Sequence, residues 1–224
     1  MVILSATNIQ KFYGSQDTKT AVIDKISLDI NQGDFVAITG QSGSGKSTLL
    51  YLLSGLEQAD SGQVMFEGKE LGKLKDSYLA RLRRTEISFC YQYHNLIHNL
   101  SILDNILLPK KIDGKITKSD KEFLQNLIEI SDIKDTLYKL PSQVSGGQQQ
   151  RAAIVRALFT KPKVIFLDEP TGSLDSANAI KVMELLKDIN TTYKTAIVMA
   201  THSEKLSQYA KRIINIKDGR IENA

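Results

Sequence analysis

Residues 35–56 constrain the fold more than any other stretch, because an apolar run, a glycine-rich loop and a leucine-rich segment follow one another without a spacer. Phe35-Val36-Ala37-Ile38-Thr39 is short, apolar and partly β-branched, which predicts a strand buried on both faces. Leu49, Leu50, Leu52, Leu53 and Leu56 then recur at helical spacing, with Gly55 near the expected C-terminal end. Between them, Gly40-Gln41-Ser42-Gly43-Ser44-Gly45-Lys46-Ser47-Thr48 fits the P-loop pattern. The glycines let consecutive backbone N–H groups wrap phosphates, the lysine reaches the outer phosphates, and a hydroxyl suits magnesium. The loop feeds a helix N-terminus, where unpaired N–H groups and the helix dipole favour the same anion.

A second segment, Val164-Ile165-Phe166-Leu167-Asp168-Glu169, is an apolar strand ending in two carboxylates. If this strand shares a sheet with residues 35–39, Asp168 can meet the magnesium region beside Ser47, the Walker B role. Glu169 then points elsewhere and can orient or deprotonate an attacking water. The alternative is an acidic pair that caps the next segment, and the P-loop is what favours the catalytic reading. Together the two segments point to nucleotide hydrolysis.

Length and composition bound the rest. With 224 residues the chain can bury a full α/β core, and one domain, or one core with an inserted subdomain, is expected rather than two independent units. The single cysteine, Cys90, lies in the apolar run Ile87-Ser88-Phe89-Cys90-Tyr91 and reads as a buried structural thiol. A disulfide framework and a CxxC metal knuckle are excluded, which suits a reducing cytosol. The longest apolar stretches, such as Ala196–Ala200, fall far short of the ~20 residues of a membrane helix. Met1–Ala6 lacks a basic region and a long apolar region, so no secretion signal is expected. The net charge of +4 is mild, and Lys/Arg are spread along the chain. Arg81, Arg83 and Arg84 could face nucleic acid or an anionic membrane surface; a solvated helix face is favoured.

Ile26, Leu28 and Ile30 alternate with polar residues, and Asn31-Gln32-Gly33-Asp34 turns the chain into the P-loop strand. Val64 and Phe66 alternate likewise, so the N-terminal part is strand-rich. From about Asn95 to Thr160 the pattern is helical, which predicts an inserted helical lobe. Within it Ser119-Asp120-Lys121-Glu122 reads as a capping box before Phe123, Leu124, Leu127 and Ile128. Strands at 164–167 and 196–200 follow, with a helix between them carrying Val182, Leu185, Leu186 and Ile189 on one stripe. Such alternation predicts a parallel, doubly wound sheet with its ligand at the strands' C-terminal ends.

Ser145-Gly146-Gly147-Gln148, continuing as Gln149-Gln150-Arg151, resembles the signature motif of ATP-binding-cassette ATPases, with Val144 where leucine is usual. The family's other marks follow in its order. Tyr13, in Lys11-Phe12-Tyr13-Gly14, resembles the aromatic that stacks on adenine. Gln92 is similar to the Q-loop glutamine, Ser173-Leu174-Asp175 to the D-loop, and His202 to the switch histidine. Asp218-Gly219-Arg220-Ile221 is also family-like, so the resemblance covers essentially the whole chain. His94 and His98 match nothing in it and stay unassigned.

The resemblance implies an α/β fold with a P-loop NTPase (RecA-like) core, an N-terminal antiparallel β subdomain and an inserted α-helical subdomain at approximately 95–160, all within one domain, 1–224. It implies ATP and Mg²⁺ as cofactors. Gly40 to Thr48 would bind phosphates; Ser47, Asp168 and Gln92 would surround Mg²⁺ directly or through water; Glu169 would be the catalytic carboxylate, and His202 would contact the γ-phosphate. In the family two cassettes pack head to tail, each nucleotide lying between one P-loop and the opposite signature. The functional unit would therefore be a homodimer, or a heterodimer with another cassette, with Asp175 in the dimer-facing loop. Physically the signature suits an anion, because Ser145 and two glycines precede the apolar helix of Ala152, Ala153, Ile154, Val155, Ala157 and Leu158.

The leading role is a transporter motor whose integral-membrane permease is a separate chain, placing the protein in the cytoplasm, peripheral at the inner face of the cell membrane. Gln41-Ser42-Gly43-Ser44-Gly45-Lys46-Ser47-Thr48-Leu49-Leu50, Leu53-Ser54-Gly55-Leu56, Gln92–Ile97 and Asp104–Pro109 are similar to the macrolide-export, lipoprotein-release and bacitracin-export branch. Pro141-Ser142-Gln143 before the signature also occurs in importers. Tyr91, Tyr93, Leu96 and Ile97 would line the cleft that receives the permease, or else pack within the helical lobe. The alternative role is a soluble cassette ATPase in cofactor assembly. A DNA-repair cassette is disfavoured, since its nucleotide halves are separated by long coiled coils and no sustained heptads occur here; no nucleic acid is expected.

Overall fold

Period-two alternation builds the first layer. β1 (Val2–Tyr13) buries Ile3, Leu4, Ala6 and Ile9, and β2 (Thr20–Asn31) buries Ile23, Ile26, Leu28 and Ile30. The two pair antiparallel, with register shifts that twist the ribbon. At the turn Asp34 accepts a hydrogen bond from the Asn31 N–H at 2.8 Å and leads into β3 (Phe35–Thr39). Helix α1 (Lys46–Leu53) buries Leu49, Leu50, Leu52 and Leu53, each worth about 1.5–3 kcal/mol of burial. Beyond its end, Gly55 takes a positive φ of 67°. β4 (Ser61–Phe66) returns to pair with β1, and β5 (Lys69–Glu70) completes a four-stranded antiparallel sheet ordered β2-β1-β4-β5. The computed structural model describes residues 1–15 and 19–222.

Helix α2 (Asp76–Thr85) and strand β6 (Ile87–Cys90) lead into a wholly helical segment of α3 (Ile102–Asp113), α4 (Lys118–Ser131) and α5 (Gly146–Leu158). The chain then alternates through β7 (Val164–Asp168), α6 (Ser176–Tyr193), β8 (Ala196–Ala200), the short α7 (Glu204–Ser207), β9 (Arg212–Lys217) and β10 (Arg220–Ile221). The second sheet is ordered β10-β9-β3-β8-β7-β6; β9 through β6 are parallel and β10 is antiparallel. Its central strands separate two cores by residue parity. Val36, Ile38, Val164, Phe166, Val198 and Ala200 face α1 and the antiparallel sheet, while Ala37, Ile165, Leu167, Ile197 and Met199 face the helical side.

Two local expectations need correction. The capping box of α4 is Thr117 with Asp120, two residues earlier than Ser119–Glu122: the Asp120 N–H donates to the Thr117 hydroxyl and the Thr117 N–H donates to Asp120 Oδ2 at 3.0 Å. Both registers satisfy the pattern, but only Asp120 also meets Lys110 and Lys161, at 3.4 and 3.5 Å. Burial works against that carboxylate, yet the Thr117 bonds and Lys110 bring it down to about 2. The arginine cluster is not a uniformly solvated face either. Arg83 donates to the Gly55 carbonyl at 2.6 Å and Arg84 to Asp113 at 3.1 Å, leaving Arg81 the exposed member.

Candidate active site

Parity and register explain why the acidic strand end meets the P-loop. Ile38 and Asp168 are both level with Ala200, on either side of β8, so β3 and β7 end at the same edge of the sheet. Counting by twos from Val164 and Phe166 puts Asp168 on the α1 face. There Ser47 Oγ donates to Asp168 Oδ1 at 2.8 Å and the Tyr51 hydroxyl to Oδ2 at 3.4 Å. Burial pushes the Asp168 carboxyl above the usual range, against the lowering effect of the Ser47 bond.

Glu169 leaves the strand with a φ of 47°, a conformation that is costly for a non-glycine residue and typical of functional sites. This turns its side chain away from Asp168, toward His202, whose Nδ1 lies 3.0 Å from Glu169 Oε2. Gly172 lies where Glu169 and Gln92 converge: a Cβ there would stand 3.5 Å from both the Gln92 amide and Glu169 Cβ. Tyr13, Val22, Ser42, Gly43, Gly45, Lys46, Ser47, Thr48, Gln92, Glu169, Gly172 and His202 line one cavity of about 510 Å³. Gly40, Gln41 and Ser44 face a neighbouring cavity of about 720 Å³, which Ser42, Gly43 and His202 also border.

Gly45 is required as glycine, because φ is 101° and a Cβ would approach the Val22 carbonyl at 2.6 Å. Lys46 Nζ donates to the carbonyls of Gly40 and Gln41, both at 2.9 Å, which arches the loop over its own amine. Tyr13 is half exposed and donates to Glu57; burial and that carboxylate push the phenol up to about 12. Ser47 Oγ and Asp168 Oδ1 adjoin, and Gln92 lines the same cavity as Ser47; hydroxyl, carboxylate and carboxamide oxygens are the hard donors magnesium takes, so the residue types fit that ion.

None of Ser145, Gly146, Gly147 and Gln148 lines either cavity. They form the N-terminus of α5, where Ser145 and Gln148 close a capping box. Ser173-Leu174-Asp175, the expected D-loop, lies beside them within the same chain. A Cβ on Gly146 would meet Leu174 at 3.9 Å, and Asp175 N-caps α6 by accepting from the Ala177 and Asn178 N–H groups at 3.0 Å. Ser173 is exposed.

For the segment expected to receive a permease, the structure divides the residues. Leu96 is buried in the helical core, the packing alternative, while Tyr91 is half-buried with its ring 4.6 Å from Phe89. Tyr93 and Ile97 stay exposed, at 78% and 44%. No sequence pattern marks Val22, which lines the cavity with Lys46, or Tyr51, which meets Asp168. Gly172, which lines the cavity too, is the one with a visible signal, three residues beyond Glu169.

A phosphate-wrapping loop joined to an acidic strand end defines a P-loop nucleotide hydrolase, and comparison with known proteins narrows the class. The ABC transporter family profile matches residues 23–172. The chain is 40% identical to the lipoprotein-releasing system ATP-binding protein LolD of Wigglesworthia glossinidia brevipalpis, covering 99% of this chain and 96% of that one. It is 42% identical to the bacitracin export ATP-binding protein BceA of Halalkalibacterium halodurans, covering 99% and 87%. The fold matches a dimeric post-hydrolysis state of the ATP-binding cassette MJ0796 bound to ADP and Pi, with a TM-score of 0.89, 34% identity, and 98% and 97% coverage. The chain belongs to the ABC transporter family, as an ATP-binding and ATP-hydrolysing subunit. Among the described residues no helix is long and apolar enough to cross a membrane.

Proposed function

We propose that two copies of this chain close head to tail around two ATP molecules, and that closure drives a separate permease in export or envelope work on lipoproteins, peptides or antibiotics. The observation that carries this reading is the separation of two phosphate-suited helix ends, one inside the nucleotide cavity and one outside it. A second chain would bring its Ser145–Gln148 to the first chain's P-loop and supply charge stabilisation there. Ser173, Leu174 and Asp175 would follow it to the dimer face. Tyr13 stacks on the base, and Gly40–Thr48 hold the phosphates. Ser47, Asp168 and Gln92 would hold magnesium, directly or through water, and the chemistry supplied there would be neutralisation of phosphate charge. Glu169 orients and deprotonates the attacking water, while His202 fixes Glu169 and contacts the terminal phosphate. Tyr93 and Ile97 meet the permease, which keeps the protein at the inner face of the membrane.

Glu169→Gln tests the catalytic assignment with the shape of the side chain retained. Turnover should fall by about 10²–10⁴, the usual worth of a general base, with ATP affinity unchanged and an ATP-bound dimer accumulating on gel filtration. Normal steady-state turnover contradicts the role. For the partner, purification from detergent-solubilised membranes should bring down an integral protein, and Tyr93→Ala with Ile97→Ala should release it. Recovery of soluble scaffold proteins alone would overturn the transport reading.

A further inference from the structure

The loop that carries Gln92 turns back at His94 and Asn95, both in the left-handed region at φ of 52° and 47°. Two consecutive non-glycine residues in that region are strained, and persist only where surrounding contacts hold them. Here, beside local backbone bonds, the side-chain hydrogen bonds that reach the turn among the described residues come from one helix. Arg156 of α5 donates from Nη2 to the His94 carbonyl at 2.8 Å and from Nη1 to the Asn95 carbonyl at 2.6 Å. Gln150, wholly buried on the same helix, meets His94 Nδ1 with its Oε1 and approaches Cys90 Sγ with its Nε2 at 3.7 Å. The Q-loop is therefore gripped at its backbone, at its histidine ring and at the end of β6. The helix that grips it begins with the signature residues.

We propose that Arg156 and Gln150 are positioning residues for Gln92: they clamp residues 91–95 to α5, so that the Q-loop and the signature move as one body. The guanidinium suits the task because its planar fork can hold two carbonyls at once, which a lysine ammonium on a flexible stem does less rigidly. The clamp makes a path by which a push on exposed Tyr93 would re-aim Ser145 without passing through the nucleotide. The inference rests on the role given to Gln92 above, and the experiment separates the two.

Arg156→Lys and Gln150→Met are compared with the unsubstituted chain, Gln92→Ala and the corresponding double variants. The first readout is hydrogen exchange of the nucleotide-free chain. Exchange should rise in residues 91–97 by about tenfold or more for Arg156→Lys, with the sheet amides unchanged, as expected of a local opening rather than global unfolding. The second is the split between turnover and binding: turnover should fall about three- to tenfold while ATP affinity measured by calorimetry holds, and the loss should vanish in the Gln92→Ala background, the non-additivity of residues acting through one another. Gln150→Met is the milder probe should Arg156→Lys fold poorly. Unchanged exchange at 91–97, or losses that multiply in the double variants, overturns the clamp. If Gln92→Ala alone leaves turnover intact, the role of Gln92 fails, and the exchange measurement still decides whether the clamp exists.

Discussion

The N-termini of α1 and α5, the two helix ends proposed to meet phosphate, are built by opposite means. α1 starts from Gly45 in a left-handed conformation, and no side chain caps it. α5 starts from Ser145 in an extended conformation; the Ser145 hydroxyl accepts the Gln148 N–H at 3.3 Å, and the Gln148 side chain accepts the Ser145 N–H at 2.9 Å. Neither has an acidic residue in its first turn, which would repel phosphate. The difference is one of ownership. A terminus that receives phosphate from within its own cavity keeps its donors uncapped and has the Lys46 amine ready beside it. One whose proposed phosphate arrives with a second chain satisfies itself in the meantime.

Lys46→Ala should break that comparison most visibly. Removing a charge-assisted contact of roughly 1.5–3 kcal/mol lowers ATP affinity about 10- to 100-fold in the single chain. Calorimetry on the isolated protein measures it directly. Unchanged affinity would mean that the P-loop end owes its binding to backbone donors alone.

Gly147→Ala acts on the other terminus through packing. A Cβ there would stand 2.7 Å from Asn178 Oδ1 and 2.8 Å from Asn178 Cγ. That carboxamide cannot swing aside freely, because its Nδ2 donates to Asp175 Oδ2 at 2.6 Å. The expected cost is about 1–3 kcal/mol in urea unfolding, typical of overpacking, with partial recovery on adding Asn178→Ala. No recovery would place the strain in the helix backbone rather than against α6.

The strands that position the P-loop were readable because parallel strands buried on both faces leave nearly continuous apolar runs, as at 35–39, 164–168 and 196–200. Sheet order was not readable. That β8 lies between β3 and β7 depends on long-range pairing, and no periodicity encodes it. Of the candidate site, Gly40–Thr48 and Asp168-Glu169 were visible as patterns because their neighbours in sequence are also their neighbours in space. The contacts made by Tyr51, and by Arg156 on the His94 turn, join residues 117 and 62 positions apart, and a lone tyrosine or arginine carries no mark of that. The misplaced capping box has the same origin: Ser119–Glu122 and Thr117–Asp120 are equal as local patterns, and lysines from α3 and from the loop after α5 decide between them.

Ser145→Ala is the finest test of the two termini, and its expected effect is the smallest. The substitution leaves the Gln148 N–H without its acceptor, but Gln148 keeps its own bond to the Ser145 N–H, so only half the box is lost. Stability should fall by about 0.5–1 kcal/mol, the lower part of the range for an N-cap serine. ATP affinity of the single chain should not change, because Ser145 borders neither cavity beside the P-loop. Turnover that depends on closure should fall nonetheless, since in the proposed dimer the hydroxyl that caps the helix in one chain is the group offered to the phosphate of the other. Loss of single-chain affinity comparable to that of Lys46→Ala would mean that both termini serve one nucleotide in one chain, and the division of labour between α1 and α5 would collapse. A fall in turnover with affinity intact keeps them as two halves of sites that only a dimer completes.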